Sequence, residues 1–93
     1  MIHKTALIDP SAQIDPSAEI GPYVVIEGPS EVGAGCRIEA HAQLVGHVIV
    51  GEGTRIGRGA VIGGEPQDLG FDPATQSRVI LGKKNVLLNQ QHI

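Results

Sequence analysis

A six-residue period runs through this chain from Ile2 to Ile62 and excludes most folds. Ile2, Ile8, Ile14, Ile20, Ile26, Val32, Ile38, Leu44, Val50, Ile56 and Ile62 are all aliphatic. Two residues before each from Ile8 onward stands a second column: Ala6, Ala12, Ala18, Val24, Ser30, Cys36, Ala42, Val48, Thr54 and Ala60. Every member of it is small or β-branched. Residues two apart on an extended chain point to the same face. Each hexapeptide therefore reads as a very short strand with one small and one large side chain inward, followed by a corner. A helix needs apolar spacings of three and four, which this pattern lacks.

Three hexapeptides close a triangular coil, so that residue i lies under residue i+18. The chain passes that check: Ile2, Ile20, Ile38 and Ile56 form one internal ladder, and Ile8, Ile26, Leu44 and Ile62 another. Outside, Glu19 falls under Arg37, a favourable pair, and Arg37 under Arg55, an unfavourable one. Gly follows the large aliphatic at Gly21, Gly33, Gly51, Gly57, Gly63 and Gly82, where a corner with positive φ is expected. Pro10, Pro16 and Pro22 come one residue later, where a fixed φ suits a turn. The composition agrees: hydrophobic residues make up 41% and aromatic residues only 2%. A uniform, narrow interior of Ile, Val, Leu and Ala suits a β-solenoid whose repeats stack on a continuous core.

The period breaks after Ile62. The next position is Asp68, and the pattern resumes at Leu81-Gly82, Leu87 and Ile93. Residues 64–78 are thus expected as a loop ejected from the solenoid, and such loops on rigid scaffolds collect binding residues. Gln67 and Asp68 stand there beside the apolar Leu69 and Phe71. Ile93 falls on an inward position, so residues 1–93 are read as a single β-helix domain that forms the N-terminal portion of a longer solenoid.

The formal charge of −3 and the absence of a basic stripe argue against nucleic acid as a partner. No stretch spans a bilayer or reads as a signal peptide, which makes the cytoplasm the expected compartment. The single cysteine, Cys36, sits in the small inward column and reads as a buried filler rather than a nucleophile. His3, His41 and His47 read as corner residues well before the loop, and the histidine spacing matches no zinc set, so no metal and no cofactor are expected. His92 stands between Gln91 and the inward Ile93, and strand alternation points it outward.

These features resemble the bacterial hexapeptide-repeat transferases. The opening Met1-Ile2-His3-Lys4-Thr5-Ala6 with Ile8-Asp9-Pro10, and the segment Ile62-Gly63-Gly64-Glu65-Pro66-Gln67-Asp68-Leu69, are similar to the acyl-carrier-protein-dependent UDP-N-acetylglucosamine O-acyltransferases of lipid A biosynthesis. The resemblance implies a left-handed parallel β-helix, cytoplasmic and homotrimeric. It also implies transfer of a 3-hydroxyacyl chain from acyl carrier protein to the sugar 3-hydroxyl. It carries Gln67, Asp68 and Leu69 over as substrate-binding residues, with Asp68 on the glucosamine and Leu69 along the acyl chain. Two departures stand out: Gly70 replaces the family's lysine, and Leu88-Asn89-Gln90-Gln91-His92 replaces its run after Asn85. The family's general-base histidine lies beyond this chain, so no catalytic residue is assigned. Two other readings compete: a non-catalytic trimeric β-helix module, and another hexapeptide-repeat acyltransferase.

Overall fold

A computed structural model describes residues 1–63 and 78–87. These residues form strands β1 (Leu7–Ile8), β2 (Gln13–Ile14), β3 (Glu19–Ile20), β4 (Val25–Ile26), β5 (Glu31–Val32), β6 (Arg37–Ile38), β7 (Gln43–Val45), β8 (His47–Val50), β9 (Arg55–Ile56), β10 (Val61–Gly63), β11 (Arg78–Leu81) and β12 (Val86–Leu87). Every third strand pairs in parallel, which makes three sheets. The first face is β1-β4-β7-β10, the second β2-β5-β8-β11 and the third β3-β6-β9-β12. No helix occurs among the described residues. The expected all-β solenoid is thus the observed one.

The register is the one the period dictates. Ile20 pairs with Ile38 and Ile38 with Ile56, while Ile2 bridges to Ile20. Ile8, Ile26, Leu44 and Ile62 form the second ladder. Ile14, Val32, Val50 and Leu81 complete the interior on the second face. The large side chains from Ile20 to Ile62 and their small partners are buried. Two members of the small column do more than fill space. Ser30 Oγ donates to the Gly46 carbonyl at 3.0 Å and accepts from the Val48 amide at 3.1 Å. Thr54 Oγ1 donates to the Gly82 carbonyl at 2.7 Å. These hydroxyls tie one coil to the next, and no buried polar side-chain atom among the described residues lacks a partner.

The corners differ from expectation in one respect. Of the glycines after the aliphatic residue, Gly63 has positive φ, but Gly21, Gly33, Gly51, Gly57 and Gly82 do not; in those coils the conformation falls two residues later, at Tyr23, Gly35, Gly53, Gly59 and Lys84, and His41 takes it at the corner that Glu39 opens. At Gly33 and Gly51 glycine is required by want of space. A Cβ on Gly51 would lie 2.7 Å from the backbone of Gly82, and one on Gly33 would lie 3.0 Å from the Val50 carbonyl. Two corners are built otherwise, from Asp-Pro-Ser. Asp9 Oδ1 accepts from the Ser11 amide at 2.8 Å and its hydroxyl at 2.6 Å, and Asp15 is held likewise by Ser17.

Outward residues give each face its own character. The first presents Leu7, Val25, Gln43 and Val61; the second Gln13, Glu31, Ile49 and Ile80; the third Glu19, Arg37, Arg55 and Val86. On the third face the arginines escape mutual repulsion by turning aside. Arg37 Nε stands 3.9 Å from Glu19, and Arg55 meets the corner residue Glu39 at 2.7 Å.

Candidate functional site

The break in the period is a break in register. Elsewhere the coils pair residues 18 apart, as Val48 with Ser30, but Asn85 reaches Thr54 across 31. Thirteen extra residues are therefore accommodated between β10 and β11. The substrate residues expected from sequence, Gln67, Asp68 and Leu69, lie outside the described residues, as does His92.

What surrounds the break is described. The chain leaves the first face at Gly63, whose φ is +88°. A Cβ there would collide with the Val45 carbonyl and come within 3.2 Å of Val48, so only glycine fits. The chain returns on the second face at Arg78, which pairs with His47. This corrects the reading of His47 as a corner residue. It opens strand β8, which pairs with β11, with Nε2 3.6 Å from Glu31 and its side chain 28% exposed. Thirty residues of sequence concealed that closeness, which the register jump makes visible. His41 does sit on a corner, with its ring stacked on Tyr23. His3 also stands at a corner, where Nδ1 is 2.8 Å from Thr5 Oγ1. Cys36 is buried with its thiol directed at the Gly51 carbonyl at 3.0 Å, so it has no access for nucleophilic chemistry.

Two grooves mark the described surface. The larger, about 700 Å³, runs along the third face and the edge joining it to the first, and contains Arg37, Arg55, Arg58, Glu19 and Glu39. The smaller, about 420 Å³ on the second face, is acidic, with Asp15, Glu31 and Glu52. The larger groove lies across the prism from Gly63, where the described chain leaves the first face. No cluster of three metal-ligating side chains occurs among the described residues, and no helix among them is long and apolar enough to cross a membrane.

Comparison with known proteins agrees with this geometry. The family model described as GMPPB C-terminal domain matches residues 2–93. An acyl-(acyl-carrier-protein)–UDP-N-acetylglucosamine O-acyltransferase from Chlamydia caviae is 40% identical over 70 residues, which is 75% of this chain and 25% of that protein. The enzyme of the same name from Caulobacter vibrioides is 38% identical over 92 residues, 99% of this chain and 34% of that one. A crystal structure of UDP-N-acetylglucosamine acyltransferase superposes with a TM-score of 0.88 at 37% identity, covering 96% of this chain and 34% of its own. The chain thus spans a quarter to a third of the relatives it matches. It is a left-handed parallel β-helix that belongs to the GMPPB C-terminal domain family, and its likeness to the UDP-N-acetylglucosamine O-acyltransferases of the hexapeptide-repeat transferases runs along nearly all of it.

Proposed function

We propose that this chain is the front segment of an acyltransferase that moves a 3-hydroxyacyl group from acyl carrier protein to the 3-hydroxyl of UDP-N-acetylglucosamine in lipid A biosynthesis. It works as a cytoplasmic homotrimer, without cofactor or nucleic acid. One observation carries the reading. A rod superposing on the acyltransferase at a TM-score of 0.88 jumps its register at the segment that carries Pro66-Gln67-Asp68-Leu69. A rigid scaffold whose pairing skips one polar-apolar segment gives that segment the means to hold and orient a substrate.

In this reading Gln67 and Asp68 hydrogen-bond the sugar, and Leu69 lies along the acyl chain. The general base belongs to coils outside these 93 residues. An ordinary carboxylate titrates near about 4 and is poorly matched to deprotonate a sugar hydroxyl at neutral pH, where histidine is the usual base. Among the described residues, His47 is the histidine that pairs with Arg78, and its imidazole faces Glu31.

Acyl transfer from acyl carrier protein is the direct test. The 93-residue chain is expected to show no turnover, and a full-length relative with Asp68→Ala is expected to lose kcat/KM. Robust turnover by the 93-residue chain, abolished by His47→Ala or His92→Ala, would place the base within it and overturn this assignment.

A further inference from the structure

Charge is not spread evenly over this rod. The chain is acidic, with 7 lysines and arginines against 10 carboxylates, yet Arg37, Arg55 and Arg58 together line the groove on the third face. Among the described residues two carboxylates, Glu19 and Glu39, line it with them, so its side chains sum to a positive charge. The groove on the second face is acidic by contrast. Arg37 and Arg55 are register partners on neighbouring coils, and like charges directly opposite cost stability. The carboxylates offset that cost only from the sides. Glu19 stands 3.9 Å from Arg37, beyond hydrogen-bond reach, with the two side chains 66% and 65% exposed. Glu39 takes Nε and a terminal nitrogen of Arg55 on a single oxygen, at 2.8 and 2.7 Å, and the fork has further donors to offer. Arg58 is exposed and forms no ion pair among the described residues.

We infer that this groove is a site for a phosphate dianion, carried as a monoester whose apolar group lies on Val86. A guanidinium presents its N–H donors in a planar fork that matches two phosphate oxygens. Neighbouring coils stand about 4.8 Å apart, so one tetrahedral group can bridge the forks of Arg37 and Arg55. A dianion seated between them relieves their repulsion from the middle, which a singly charged carboxylate at one side does not. Arg58, on the adjoining corner, adds a third cation at the rim. The other end of the ligand is set by the next outward position of the same column. Val86 pairs in register with Arg55, lines the groove and is 65% exposed. An apolar group laid on it gains by leaving water. The inference uses none of residues 64–77 and stands apart from the acyl-transfer reading.

Titration of the 93-residue chain with methyl phosphate and with hexyl phosphate tests this, at constant ionic strength and about pH 7.5, above the second phosphate pKa of about 6. Both esters are expected to shift the Nε–Hε signals of Arg37 and Arg55 in nitrogen–proton correlation spectra. Methyl phosphate should reach half-saturation at about 1 mM and hexyl phosphate about three- to ten-fold lower, with the Val86 amide moving for the hexyl ester alone. Arg37→Gln/Arg55→Gln should weaken binding by about ten-fold or more. Lys83→Gln/Lys84→Gln removes the same charge outside the groove and should leave affinity unchanged. Glu19→Gln, which frees Arg37, should tighten binding by about two- to five-fold. All these side chains are exposed, and circular dichroism checks that the rod is intact. Shifts that grow linearly without saturating would overturn the site. So would equal losses in the two double variants, which would mark a general attraction of anions to cations. Equal affinity for the two esters would overturn the role of Val86.

Discussion

Asp9 and Asp15 show how much of a corner one side chain can set. Each carboxylate accepts from the hydroxyl and the amide of the serine two residues on, and the hydroxyl bond is the larger of the causes that hold both carboxyls below the usual range. A carboxyl whose pKa is lower folded than unfolded adds stability above the unfolded value, and this is lost as pH falls through the folded one. Ser11→Ala is expected to raise the Asp9 pKa toward the ordinary value and leave Asp15 unchanged, read by carboxyl carbon shifts in an acid titration. An unmoved Asp9 would show that the backbone amide alone sets it. The glycines make a second residue-scale contrast. Gly51 lacks space and Gly46, at φ +88° with nothing within 4 Å of a Cβ, lacks only a permissive backbone. Gly51→Ala should cost about 1–3 kcal/mol by overpacking, and Gly46→Ala about 1–2 kcal/mol by conformation. Asparagine, which tolerates the left-handed region, should recover part of the loss at Gly46 and none at Gly51 in urea melts. Sequence showed glycine after six of the aliphatic residues and offered positive φ as the reason, whereas at Gly33 and Gly51 the obstacle is the backbone of the coil above, 17 and 31 residues away.

The hexapeptide strand was legible almost completely, since a period of two within a period of six admits few alternatives. Ile38 illustrates the energetics: it sits between Ile20 and Ile56 and is 1% exposed. Ile38→Ala should destabilise by about 2–5 kcal/mol, because close-packed coils on both sides cannot collapse into the void. Less legible were the polar members of the small column, Ser30 and Thr54, which sequence showed only as small or β-branched inward residues. Thr54→Val keeps the shape and deletes the bond to the Gly82 carbonyl, so a loss of about 1–3 kcal/mol is expected in chemical denaturation. A neutral outcome would mean that water or relaxation satisfies the carbonyl. Size and β-branching are visible in sequence, whereas the partner of a buried hydroxyl is fixed by which carbonyl the next coil brings above it.

At the scale of the molecule, the prism of three unlike faces follows from what stands at the one outward position of each strand. The period predicts the faces, and the alternation names their residues. The pairing of His47 with Arg78 was not legible, since it depends on how many residues the rod skips before pairing resumes. That number has a consequence for how the molecule forms. Bringing two chain segments together costs entropy that grows only with the logarithm of the intervening length. Closing the span of 31 residues instead of 18 therefore adds about 0.5 kcal/mol. A repeat rod with nearest-neighbour coupling can thus carry a large insertion at small thermodynamic cost, but growth of the rod must pause there until β11 finds β8. Amide exchange should record the pause: in a pulse during refolding, Gly51 and Arg55, whose amides bond the coil of β11 and β12, become protected after Gly33 and Arg37, whose amides bond the coil of β8 and β9.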